Sequence, residues 1–406
     1  MRINILEGGV FKRHPYIKRL WLRDRFFRPC WFPVQNAFRE LRDLGIEVRF
    51  YTGLNRGLWD CDAVILSSRT VEDLALSRRH EFSSRAEFCA WALNRQKRLI
   101  WFDTRDSAGN CQFDVVPYVE RYLKKQLYRD RRTYLKRLHR GRAYADYYHR
   151  HHSGNVPVDD GAAADRFLPE TDTVFVETEV AKSVGETNKL YAAWGCGAEF
   201  HWPLLSRTSA PGYILRALAQ YAMGVSMLRP RTVPVDSYRP VAINALFDAR
   251  RFKVRSVGYQ RLLGLHAARQ LKLEPKLTGR VPRYDFYKTL AQSKVTISTF
   301  GWGEVCFREY EATYCGSAIL MADMSNIETY PDLYRPEFYM PFKWDFSDFE
   351  ERATDLLSDD ERRLSMARAA QAMLMRQWST PGREAFAHRF RDLVTPHRVT
   401  ATALSD

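Results

Sequence analysis

The stretch that most constrains the fold is residues 296–323, TISTFGWGEVCFREYEATYCGSAILMAD. It reads as a short apolar strand, a turn carrying Gly301 and Gly303, a helix, a stop at Gly316 and a second apolar strand. Two strands joined by a helix of this length form a βαβ unit, and that unit requires a parallel sheet. A glycine-containing turn entering a helix also aims backbone N–H groups and the positive end of the helix dipole at one point, which suits an anion such as a diphosphate. Glu304, Arg308 and Glu311 fall near one helix face, because four and seven residues are close to whole turns. Charged side chains between two apolar strands need a reason, and a polar ligand is one. The competing account is an Arg308–Glu311 ion pair on a solvated face, worth about 0.3–0.5 kcal/mol.

The remainder of the chain alternates in the same way. Residues 2–7, 46–52, 62–68 and 98–103 read as strands, with helices over 34–44 and 86–94 and a fifth strand over 173–178. Residues 213–228 read as helical, and a proline-punctuated connector follows them. Alternation restarts with strands at 241–247, 273–279 and 338–342 and helices at 257–271 and 284–292, and the tail from 347 to 395 is mostly helical. The pattern is α/β: a Rossmann-like domain over 1–205, a linker over 206–240 and a second Rossmann-like domain with C-terminal helices over 241–406. Ligands of such a pair belong in the cleft between the two sheets.

Length and composition narrow the class. The 406 residues, 45% hydrophobic and 27% charged, allow two cores and exclude a disordered chain. No apolar run approaches the ~18–20 residues that span a bilayer, and the opening MRINILEGG reads as a first strand rather than a signal peptide. The seven cysteines are scattered without a CxxC pair, as expected of reduced thiols in a cytoplasmic protein with no zinc site. Asp60-Cys61-Asp62 precedes a strand instead of following one, so it reads as a turn and no metal is expected.

The net charge of +15 is uneven. Residues 121–152 hold eight Arg, three Lys and two Asp, and residues 11–32 interleave seven Lys or Arg with Phe, Tyr and Trp. Two basic insertions of this kind suit an anionic partner: a membrane face, a polyanionic glycan or nucleic acid. Asp103 and Asp106 follow the 98–103 strand at its carboxyl end, where either suits a base that activates a hydroxyl.

Residues 299–323 resemble the C-terminal donor-binding half of GT-B fold glycosyltransferases, the group 1 C-terminal domain, and within it the spore-maturation CgeB-like branch. Arg308-Glu309-Tyr310-Glu311-Ala312 followed by Cys315-Gly316 and an apolar strand carries the resemblance, with FKWDFSDFEERATDLLSDDERRLSMARAAQ downstream and YDFYKTLAQSKVTIST upstream, over roughly 240–395. The resemblance implies two Rossmann-like domains with parallel sheets facing across a cleft. It further implies transfer of a sugar from a nucleotide-sugar to a glycan or lipid-linked acceptor in cell-envelope polysaccharide synthesis, with no cofactor and no metal. By the same resemblance Glu311 binds ribose hydroxyls and Arg308 clamps the diphosphate beside the Gly301–Gly303 turn. Arg250 and Lys253, just after the 241–247 strand, join the clamp. Glu304 stands seven residues before Glu311 where the retaining pattern spaces two glutamates by eight, so it is a catalytic candidate with Asp103 and Asp106 and the stereochemistry stays open. The N-terminal half would then carry the acceptor, with its basic insertions at an anionic, cytoplasmic membrane face. Two further readings remain: a nucleic-acid-binding or nucleic-acid-modifying protein, although no recognised nucleic-acid module is present, and a non-catalytic scaffold of the same fold.

Overall fold

The computed structural model describes residues 1–8, 29–77, 81–151, 184–195, 232–247, 255–271, 276–278 and 281–396. The first half contains β1 (Arg2–Leu6), α1 (Phe32–Asn36), α2 (Phe38–Asp43), β2 (Glu47–Tyr51), β3 (Ala63–Ser67), α3 (Ser68–Ser77), α4 (Arg85–Leu93), β4 (Leu99–Asp103), β5 (Arg121–Lys124), β6 (Gln126–Tyr128), α5 (Ala143–Arg150) and β7 (Leu190–Ala192). Six of these strands form a parallel sheet in the order β2-β1-β3-β4-β5-β7. The second half contains β8 (Val241–Leu246), α6 (Arg255–Gln270), β9 (Lys276–Thr278), α7 (Arg283–Gln292), β10 (Ser293–Ser298), α8 (Phe307–Tyr314), β11 (Ala318–Ala322), β12 (Ile327–Thr329), β13 (Met340–Phe342), α9 (Phe349–Ser358), α10 (Asp360–Arg376) and α11 (Thr380–Val394). Its parallel sheet runs β13-β11-β10-β8-β9. The α/β expectation of two parallel sheets in two domains is met.

Central strands AVILS, LIWFD and AILMA are buried along their whole length, as a parallel sheet covered by helices on both faces requires. The unit read from sequence is β10-α8-β11, in register from Val295 with Ala318 to Ser298 with Met321. Gly316 ends α8 at φ +72°, with Gly316 N–H bonded to the Thr313 carbonyl and Ser317 N–H to that of Ala312. A side chain there would be strained in the left-handed region and would meet Arg239 Nη2 at 2.5 Å.

The two halves are sewn together at two places. β6 and β12, one from each half, pair antiparallel from Gln126 with Thr329 to Tyr128 with Ile327. Arg131 pairs with Glu328 across the same ribbon at 2.7 Å. Farther on, α11 returns to the first half. Phe386 and Phe390 pack on Trp194 at 5.5 and 5.7 Å, and Arg383 meets Glu40 at 2.7 Å.

Residues 121–152 depart from the expectation of a basic insertion. They supply β5, β6 and α5, and several of their cations are paired within the fold. Arg121 donates to the carbonyls of Asp392 and Thr395 at the end of α11. Lys124 pairs with Asp103 at 2.7 Å, Arg129 with Asp332 at 3.2 Å and Arg150 with Asp146 at 2.7 Å. The strand expected at 173–178, the helix at 213–228, and residues 206–231 of the expected linker lie outside the described residues, as do residues 11–28 of the other basic segment.

Candidate active site in the interdomain cleft

The loop between β10 and α8 forms one wall of the site. At its far end, Cys306 N–H donates to Glu309 Oε2 at 2.6 Å, closing a capping box that fixes where α8 begins. Phe307 and Arg308 therefore open the helix at the edge of a cavity of about 310 Å³. Arg261, Arg308 and Glu311 line it from the second half, and Asp106, Lys125 and Gln126 from the first.

Two arginines from different helices meet here. Arg308 donates from Nη1 to Ser298 Oγ at 3.1 Å, and Arg261 donates from Nε to the Phe300 carbonyl at 3.0 Å. Their guanidinium carbons lie 5.0 and 5.9 Å from the centre of the Phe247 ring. Arg308 is 8% exposed and makes no ion pair among the described residues. A nearly buried cation turned to a cavity is a strong site for an anion, because burial strengthens the field and arginine offers paired planar donors. Glu311 follows one turn along α8, and its Oε1 accepts from Tyr287 Oη at 2.6 Å. Trp302 and Phe307, 51% and 42% exposed, stand among the cavity residues.

The other expected residues separate into distinct places. Asp106 lies on the opposite wall with its side chain 47% exposed, held at 3.0 Å by Lys125 Nζ. Asp103 does not reach the cleft. It is fully buried, bound by Lys124 Nζ at 2.7 Å, Tyr122 Oη at 2.6 Å and Arg105 N–H at 2.9 Å. Three donors thus hold the Asp103 carboxylate inside the first half, and it is not among the residues that line the cavity. Glu304 is likewise absent from the residues that line the cavity. It is 2% exposed and reaches across the cleft to accept from Ser107 Oγ at 3.1 Å and Ala108 N–H at 2.8 Å. Gly301 and Gly303 flank this contact, with the Gly301 N–H bonded to the Gly303 carbonyl at 2.9 Å. A Cβ on Gly303 would sit 1.7 Å from the Asp106 carbonyl oxygen, so this glycine permits the close approach of the two halves. Arg250 and Lys253 lie outside the described residues.

Two residues were not singled out from sequence. Arg261 sits inside an ordinary amphipathic helix, and only the tertiary fold brings it to the cavity. Glu309 is fully buried behind Arg308, and burial pushes its carboxyl up to about 7 against the pull of Arg308, Ser298 and the Cys306 N–H. Burial also pushes the Cys306 thiol up to about 12, so it is not a nucleophile at neutral pH. Among the described residues no cluster of three or more His, Cys, Asp or Glu is placed to hold a metal ion.

Residues 239–390, the part that carries this wall of the cleft, match the family described as glycosyl transferase-like. The C-terminal half is therefore similar to glycosyl transferase-like domains. The expectation of a GT-B glycosyltransferase is thus met on the half that carries Arg308 and Glu311. No curated protein matches the sequence. Among solved structures the chain is similar to the phage T4 enzyme BGT in complex with UDP-glucose, at 9% identity and TM-score 0.41, covering 98% of this chain and 100% of that one. HepE of Anabaena in complex with UDP-glucose is similar at 13% identity and TM-score 0.39, with 97% and 99% covered. UDP-GlcNAc 2-epimerase of Neisseria meningitidis is similar at 10% identity and TM-score 0.38, with 96% and 100% covered.

Proposed function

We propose that the chain transfers a glycosyl group from a nucleotide-sugar, held by the 241–406 half, to an acceptor hydroxyl brought in by the 1–205 half. The observation that carries this reading is the convergence of Arg261, Arg308 and Glu311 on one cavity inside the glycosyl transferase-like domain. The guanidiniums bind the diphosphate and stabilise the charge that develops on it as the anomeric bond breaks. Glu311 accepts hydrogen bonds from the ribose hydroxyls, and the Gly301–Cys306 turn lies alongside. Asp106 takes the proton of the attacking acceptor hydroxyl. It is the half-exposed carboxylate on the opposite wall, and Lys125 fixes its direction. The new bond forms at the anomeric carbon, and the nucleoside diphosphate leaves with the electron pair. The protein's own cations supply the electrostatics in this scheme, and no metal is invoked.

For the acceptor we propose a glycan or lipid-linked glycan of the cell envelope. The internal pairing of Lys124, Arg129, Arg131 and Arg150 lowers the free positive charge of 121–152. It thereby shifts the weight from a membrane surface toward the glycan itself, in a cytoplasmic protein. Mass spectrometry of nucleoside diphosphate released from UDP-, GDP- and dTDP-sugars, with and without envelope glycans, tests the reading. Asp106→Asn should lose turnover by roughly 10²–10⁴-fold while keeping nucleotide affinity. No release from any nucleotide-sugar, or full turnover in Asp106→Asn, would sink the respective part.

A further inference from the structure

Glu309 lies behind the cavity rather than in it, and its bonds form a hub. One carboxylate oxygen accepts from Ser298 Oγ. The other accepts from Cys306 N–H at 2.6 Å and Tyr334 Oη at 3.4 Å. The same Ser298 hydroxyl accepts from Arg308 Nη1 at 3.1 Å. A single serine, itself fully buried, therefore links a fully buried carboxylate to the arginine that faces the cavity. Burying an acid with one bridged cation and no direct ion pair is costly when the acid is charged and cheap when it is neutral. The other titratable groups facing Glu309 are the Tyr334 phenol and the Cys306 thiol. Burial raises both, so each is neutral near pH 7. Among the described residues Arg308 is thus the charge that Glu309 answers to.

We propose that Glu309 is a positioning residue for Arg308, and that a nucleotide-sugar diphosphate binding at Arg308 is taken up together with a proton, drawn from solvent onto the Glu309 carboxylate. The inference rests on the reading of the cavity as a nucleotide-sugar site. Two anions on either side of one guanidinium repel each other, and a proton on Glu309 removes one of them. Linkage is reciprocal: whatever the diphosphate does to proton affinity, the proton does to diphosphate affinity. The folded carboxyl titrates at about 7, so the exchange falls near neutral pH.

The test is calorimetric titration of the full chain with UDP-glucose, GDP-mannose and dTDP-glucose at about pH 6 and about pH 8, in buffers of different ionisation enthalpy. The diphosphate of these compounds is a diester that does not titrate in this range, so any proton taken up belongs to the protein. Binding should be tighter at the lower pH, by up to about tenfold for one unit of linkage, with net proton uptake. Glu309→Gln should still bind, with both the uptake and the pH dependence gone. Wild-type affinity that ignores pH, or the same slope in Glu309→Gln, overturns the proposal. A ligand-free arm guards against a variant that fails to fold. Carbon-13 NMR should show the Glu309 carboxyl titrating at higher pH in Arg308→Met, because its cation is gone. An unmoved midpoint refutes the coupling whatever the nucleotides do. A moved midpoint with no nucleotide-sugar bound overturns the assignment of the cavity and of its ligand, while leaving Glu309 coupled to Arg308.

Discussion

Replacing Glu309 by glutamine keeps the side chain's shape and removes its titration, so comparing the two proteins isolates one buried acid. An unfolded glutamate titrates near 4.5, and in the folded chain burial raises this to about 7. The folded state then holds the proton more tightly than the unfolded state. Stability from this group is complete below about pH 4.5, is lost as pH rises through about 7, and is level beyond. The gap of about 2.5 pH units, at 1.36 kcal/mol per unit, is worth about 3 kcal/mol. Urea unfolding of wild type and Glu309→Gln at matched ionic strength from about pH 4.5 to about pH 8 reads it directly. Wild-type stability minus variant stability should fall by about 3 kcal/mol over that range. A difference that stays flat would refute the argument. A difference that rises would show that Arg308 and the Ser298 and Cys306 donors outweigh burial.

Other expectations follow from contacts of the same kind. Lys124→Met leaves Asp103 buried without its cation and should cost about 3–5 kcal/mol in urea unfolding. Arg239→Met strips donors from the carbonyls of Ala291 and Cys315, at the ends of α7 and α8, and of Pro234 and Val235. It should cost about 3 kcal/mol or more by the same assay. Gly303→Ala places a Cβ 1.7 Å from the Asp106 carbonyl oxygen, so the two walls must part and Glu304 must lose Ser107 and Ala108. A loss of about 2–4 kcal/mol is expected, and a melting temperature equal to wild type would contradict the close approach.

What the sequence made legible was local. The β10-α8-β11 unit could be read because apolar runs, a glycine turn and a glycine stop lie within 28 consecutive residues. Arg308 and Glu311 came with it, since both lie on the helix that this turn opens at the edge of the cavity. Arg121-Tyr122-Leu123-Lys124 was not legible as a strand. Its two cations are satisfied by carbonyls near residue 392 and by Asp103, partners that no nearby residue announces. The same segment therefore looked like a solvated basic arm. Glu304 was a candidate through its spacing to Glu311, and its bonds to Ser107 and Ala108 of the opposite half are visible only once the two sheets are docked. Arg261 failed in the reverse sense: nothing distinguishes it along its helix until α6 packs beside Phe300.

The central claim is that this cavity binds a nucleotide through its arginines and Glu311. The most direct test is thermal unfolding of wild type, Arg261→Met and Glu311→Ala with UDP, GDP, CMP, ADP or dTDP at about 1 mM, since a ligand of the folded state raises the melting temperature by mass action. The account predicts that one nucleotide stabilises wild type and that both substitutions abolish the shift. A protein that none of the five stabilises, or one stabilised equally in all three forms, would contradict it.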